Sequence, residues 1–347
     1  MSSLTRSSCA YAPVRPRAGD EIRPGRPSIP AATRRHRSAF SSSNRASQQP
    51  LPTNFCPERC PTVAGFALWS LVASWVTGTY SHVDRLWSIT PAVYAVVYAA
   101  FSGGDRRCIL MAAITCAWGA RLTYNFARKG GYSKGEQDYR WPVLRKHPLL
   151  SNPVMWQIFN LGFIATYQHV LLLLIVLPSA AAWRQIDTVN ADLNAVDVLG
   201  TALVLGFLVL ETIADQQQWE FQQSKHRVPG YPRRDDLRHD YTRGFLTVGL
   251  FRFSRHPNFF AEQCIWCSYY VFAVASVWNS KRGIDAFAQP WALGATLLVL
   301  LFQGSTPFTE SITAGKYPEY REYQRVTSRL LPLPPFGKLR VPTKKAR

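Results

Sequence analysis

From residue 61 onward the chain alternates long apolar runs with short polar segments. Each run comes close to the roughly 20 residues that cross a bilayer as a helix. Seven candidate spans result: Pro61–Tyr80, Leu86–Phe101, Cys108–Phe126, Val154–Leu177, Val196–Ala214, Phe259–Trp278 and Pro290–Thr306. The second and seventh are short, so six spans, or a re-entrant segment, are the alternative. The pattern predicts an all-α polytopic membrane protein with about seven transmembrane helices. Its domain covers 61–335, followed by a basic tail at 336–347.

Charge sharpens this picture. The 347 residues carry a formal net charge of +19, and the excess is not spread evenly. The segments after the third and fifth candidate spans, and the C-terminal tail, are dense in Lys and Arg. The segments "SGGDRR", "RQIDTVNADLN" and "NSKRGIDAFAQ" hold far fewer. With an odd number of spans the basic segments all fall on one side, which the positive-inside rule assigns to the cytosol. A basic protein of this size is also a candidate for nucleic-acid binding, but here the charge sits in short loops between apolar runs, so no nucleic-acid partner is expected.

Residues 1–60 are of another kind: rich in Arg, Ser, Pro and Ala, without Lys and with few acids. That composition fits either a transit peptide or a plain disordered tail. The membrane is then that of the endoplasmic reticulum, or of a plastid or mitochondrion if the tail is a transit peptide. The cysteines, Cys9, Cys56, Cys60, Cys108, Cys116, Cys264 and Cys267, lack metal-ligand spacing and read as packing residues.

Polar residues at membrane depth need a reason. His82, Asp84 and Arg85 cluster in "SHVDRLWSITP", where Asp and Arg either neutralise each other or serve chemistry. Gln157, Tyr167, Gln168 and His169 interrupt the fourth run, as interhelical hydrogen-bonding groups or as ligand contacts. Glu211 and Asp215 lie four apart on one helix face and repel unless an Arg or a donor-rich ligand stands between them. In "GLFRFSRHPNFFAEQCIW", Pro257 suits a first helical turn, and Asn258 and Glu262 share a face one turn in. A buried Glu262 needs a partner, and Arg252, Arg255 and His256 lie just before it, in the setting of an anion site at a helix start. A last cluster holds Glu310, Lys316, Tyr317, Tyr320, Arg321, Tyr323 and Arg325. It suits either an adenine-phosphate clamp or an interfacial anchor.

These pieces resemble the steroid 5-alpha-reductase family of membrane reductases, in its less characterised branch. "DRLWSITP", "GGYSKGEQDYRW", "ADQQQWEFQ", "GLFRFSRHPNFFAEQCIW" and "KYPEYREYQRVTSRLLP" follow that branch in order from Ser81 to Pro335. The resemblance implies a seven-helix fold with a cytosol-facing NADPH site and a lipophilic substrate drawn from the membrane. By match to the family's motifs, Asp215, Asn258 and Glu262 are its cofactor-binding residues, with Arg255 and His256 as phosphate-side candidates and Tyr317 as a further contact. Ala261 departs from the family, which usually has Gly there. Asp84, Tyr80 and Tyr124 are the chemically plausible proton donors, none matching a motif strictly. The implied reaction is reduction of an activated carbon–carbon double bond in a steroid- or lipid-like substrate. The rival readings are an isoprenylcysteine carboxyl methyltransferase-like enzyme using S-adenosylmethionine, and a non-catalytic sterol-binding membrane protein.

Overall fold

The computed structural model describes residues 61–188, 192–280 and 283–340, all within one compact unit. The tail at 1–60 with Cys9, Cys56 and Cys60, and residues 341–347, lie outside the described residues. Every regular element among the described residues is helical, as the apolar periodicity predicts. In chain order these are α1 (Pro61–Thr77), α2 (His82–Leu86), α3 (Thr90–Ala100), α4 (Arg106–Arg128), α5 (Arg140–Leu144) and α6 (Pro153–Phe159). A π-helical segment, Asn160–Tyr167, carries α6 into α7 (Gln168–Leu174) and α8 (Leu177–Trp183). The remainder are α9 (Ala195–Lys225), α10 (Arg238–Arg243), α11 (Pro257–Ala275), α12 (Leu293–Lys316) and α13 (Tyr320–Val326).

Three stretches are long and apolar enough to cross a membrane: Pro153–Trp183, Ala195–Lys225 and Pro290–Lys316. The other expected spans fall short for separate reasons. Within the described residues α1 is apolar but 17 residues long. α3 has 11 residues, about 16 Å of helix, and a turn with Gly103 and Gly104 at positive φ follows it. α4 is long, but Arg106, Arg107, Arg121 and Arg128 dilute its hydropathy. α11 carries Asn258, Glu262 and Gln263 in its first two turns, with Glu262 and Gln263 buried. Its Glu and Gln turn toward protein rather than lipid.

Hydrogen bonds tie the helix ends into two groups. At one end, Arg107 grips Asp197 through two bonds (2.7 and 2.8 Å), Asn194 reaches the Ala275 carbonyl (3.0 Å), and Trp183 reaches the Phe101 carbonyl (3.1 Å). At the other end, Arg128 meets Gln216 (2.7 Å), and Lys225 bonds the Gly244 carbonyl (2.7 Å) and Tyr317 (3.0 Å). The second group gathers the basic loops that the charge pattern places together. The largest core cluster runs between the two ends, built on Trp118, Leu171, Leu172, Trp266, Tyr269, Phe272 and Leu298. α9 turns Val198, Leu199, Leu205 and Val209 outward, an apolar surface on the scale that lipid or a partner covers.

Candidate cofactor and substrate cavity

Between α4, the π segment, α9, α11 and α12 lies a cavity of about 1090 Å³, at the upper end of the volumes that hold small ligands. One wall is apolar and built by the π segment. Phe159, Phe163 and Tyr167 fall at four-residue spacing on its wide turn and stack with centroids 5.1 and 5.4 Å apart. Leu297, Leu301, Phe302 and Phe308 of α12 supply the facing wall.

The opposite wall is acidic. Glu211, Asp215 and Glu262 all line the cavity, with Asn125 and Asn258. Arg121 from α4 answers the repulsion between the two α9 carboxylates: its Nη2 lies 2.6 Å from Glu211 Oε1 and its Nη1 2.7 Å from Asp215 Oδ2. Asn125 and Asn258 also donate to Asp215, at 2.8 and 3.3 Å. Of the two partners open to that pair in the sequence, the Arg is present. Glu211 Oε2 remains buried with no protein hydrogen-bond partner.

Glu262 is buried, as its place one turn into α11 requires, but the partners differ from those expected. Two indole N–H groups hold it, Trp118 to Oε2 and Trp266 to Oε1, both at 2.9 Å. The nearby cations are engaged elsewhere, and Arg252 is exposed. Ala261 is fully buried and does not reach the cavity surface, so its extra methyl is accommodated in helix packing.

Asp84 meets the same cavity at the basic end. Trp141 Nε1 donates to its Oδ2 at 3.0 Å. Burial raises its carboxyl above the usual Asp range; Arg140 opposes that shift and Asp138 adds to it. Asp138 in turn pairs with Arg140 through two bonds of 2.9 Å.

The remaining predicted residues stand outside the cavity. Tyr80 is buried in an apolar cluster and meets Trp156 edge-on, centroids 5.0 Å apart. Tyr124 is exposed, with the Arg128 guanidinium over its ring. Arg255 is buried and engaged: Nε and Nη2 reach Glu310 at 2.6 and 3.0 Å, and Nη1 donates to the Gln324 and Thr327 carbonyls. His256 joins the same carboxylate at 3.0 Å, as do Tyr320 at 3.2 Å and Gln324 at 2.9 Å. This node fastens the tail to the start of α11. Tyr317 accepts from Lys225 where α9 and α12 end.

Sequence reasoning missed Arg121, Asn125, Trp118, Trp141 and Trp266. An Arg in the middle of an apolar run was the one available signal. The indoles look like ordinary membrane aromatics until their N–H groups are seen to point at carboxylates.

Residues 69–327 match the family described as protein of unknown function DUF1295. The chain belongs to that family. Every cavity-lining residue, from Ser81 to Thr309, lies inside the span that defines this DUF1295 region. Over 281 residues the chain is 38% identical to the uncharacterized protein C594.04c of Schizosaccharomyces pombe, a match covering 78% of this chain and 77% of that protein. No solved structure matches the chain.

Proposed function

We propose that this protein is an integral-membrane, NADPH-dependent reductase acting on an activated carbon–carbon double bond in a lipophilic substrate. One observation carries the reading: a single cavity joins an acid-and-amide wall (Asp215, Asn258, Glu262, Glu211) to a protonatable carboxyl (Asp84) and a stacked aromatic wall. The resemblance to the steroid 5-alpha-reductase family supports it. The residues fit the amide and ribose of a dinucleotide, whose N–H and O–H donors need acceptors, and Glu211 Oε2 is a buried acceptor left without a protein partner. Lys129, its ammonium 3.9 Å from Asp215, lines the same cavity as a cation for phosphates. NADPH would supply the hydride. Asp84, whose carboxyl burial raises above the usual Asp range, would in its acid form donate a hydrogen bond to the substrate oxygen and so polarise the double bond. The stacked rings orient the hydrocarbon and exclude water. Helices passing between the two ends, seven counting the short α3 pass, would place the basic end in the cytosol. The endoplasmic reticulum membrane suits this topology; a plastid or mitochondrial membrane suits it equally if the N-terminal tail is a transit peptide.

The test uses the full chain in lipid nanodiscs. NADPH is expected to raise its unfolding temperature and S-adenosylmethionine to leave it unchanged. Asp215→Asn should weaken NADPH binding about tenfold or more, the scale of a lost charged hydrogen bond. Protection by S-adenosylmethionine alone would establish the methyltransferase reading instead. NADPH binding without lipid-dependent NADPH oxidation would leave a non-catalytic binding protein.

A further inference from the structure

The polar side chains of the cavity are almost all engaged with one another. Asp84 has Trp141, Glu262 has two indoles, Asp215 has Arg121 and two amides, and Asp138 has Arg140. Glu211 Oε2 and, on the side-chain donor side, Gln168 break the pattern. Gln168 lines the cavity, is 5% exposed, and its Nε2 has no protein hydrogen-bond partner. A buried amide left in that state is unfavourable, so such groups are rare without a purpose.

Its position narrows the purpose. Gln168 opens α7 directly after the π segment and stands at the middle of the Pro153–Trp183 span. Tyr167, beside it, ends the stacked ladder that Phe159 begins. Asp84 belongs to the other end: its partner Trp141 packs in the cluster with Trp156 and Phe159. From Phe159 to Gln168 the chain advances nine positions, on the order of 10 Å along the helix. Beyond Gln168, α12 comes directly against the end of α7: a Cβ on Gly294 would stand 2.0 Å from the Leu174 carbonyl oxygen, and neither residue lines the cavity. A buried amide donor without a protein partner thus belongs to a cavity-lining residue at mid-span, set well away from Asp84.

We propose that Gln168 is a specificity-determining residue: it donates its amide N–H to a second oxygen on the substrate, remote from the oxygen that Asp84 polarises. The substrate class is an extended lipid with an oxygen function at each end of an apolar body. This rests on the reading of the cavity as a lipid-substrate site, but it does not require the hydride chemistry.

The probes are a linear enone with a terminal hydroxyl and the same enone ending in methyl. Binding to the full chain in nanodiscs is read by displacement of a fluorescent fatty acid, with and without NADPH. The hydroxyl probe is expected to bind about tenfold tighter than the methyl-ended one, the scale of one buried donor satisfied or left empty. Gln168→Leu, close in volume, should erase that preference while holding or raising the unfolding temperature, since it removes an unpaired amide. A preference that survives in Gln168→Leu, no preference in the wild type, or no binding of either probe overturns the proposal. So does a lowered unfolding temperature with an unchanged preference, which would make Gln168 structural. If the preference depends on Gln168 but no NADPH-dependent reduction occurs, the reductase reading falls and the recognition role stands. If reduction persists with a preference indifferent to Gln168, the reverse holds.

Discussion

Arg121 keeps two carboxylates in contact with one another's surroundings. Glu211 and Asp215 lie one turn apart on α9, both buried, and the guanidinium from α4 stands within 2.7 Å of each. Removing it would leave two like charges in a poorly solvated wall, where breaking a buried pair costs about 3–5 kcal/mol. Arg121→Met should therefore lower the unfolding temperature in detergent markedly. Adding Glu211→Gln to that variant should recover part of the loss; a double variant no more stable than Arg121→Met would show that repulsion is not the cause. Asp84 gives a pH signature at the same scale. Its carboxyl is raised, so its contribution to stability is complete below the ordinary Asp range and lost as pH climbs through the raised value. The proposed reductase activity, which needs the acid form, should fall on the same alkaline side. Trp141 donates to the charged form's oxygen, so Trp141→Phe should move that falling limb to still higher pH. A limb that stays in place would remove Asp84 from the chemistry. Asp215, Asn258 and Glu262 were legible as a group because helical spacing and motif resemblance agree on them. Arg255 and His256 were misleading because adjacency in sequence says nothing about Glu310, which lies more than fifty positions away and takes both.

Among the elements, the long apolar runs were readable and the interruptions were not. The periodicity that marks Val154–Leu177 as a span cannot show that its middle winds as a π segment, since the widening depends on how Phe159, Phe163 and Tyr167 stack once packed. The run at Leu86–Phe101 is equally apolar, yet it forms an 11-residue helix that opens with Pro91 in its first turn and stops before the turn with Gly103 and Gly104 at positive φ. Gly294 controls how α12 sits on α7. With no room for a methyl against the Leu174 carbonyl, Gly294→Ala must push the helices apart, at about 1–3 kcal/mol for an overpacked contact. Thermal unfolding of the full chain should register that loss; unchanged stability would mean that the two helices part freely at this point.

For the molecule as a whole, the two groups of helix ends predict which loops share a compartment. Single cysteines placed at Lys134, Gly230 and Lys338 should react with an impermeant thiol reagent from one face of sealed vesicles, and ones at Gly104 and Asp187 from the other. Labelling of Lys134 and Gly230 from opposite faces would break the arrangement. The charge bias alone suggested this grouping, and the bonds from Lys225 to Gly244 and Tyr317 give it a physical basis. The tail adds something the bias could not show. Ser328 and Arg329 accept backbone bonds from Arg255 and His256, and Leu333 donates back to Phe253. The entrance to α11 is thus finished by residues that lie some 72 positions further along the chain. A chain cut before Gln324 would keep the Arg255–Glu310 pair but leave Arg255 Nη1 and the backbone N–H groups of Arg255 and His256 without their carbonyl acceptors. Cells that inspect membrane proteins for unsatisfied polar groups would be expected to degrade it, which makes this stretch a quality mark as much as an anchor.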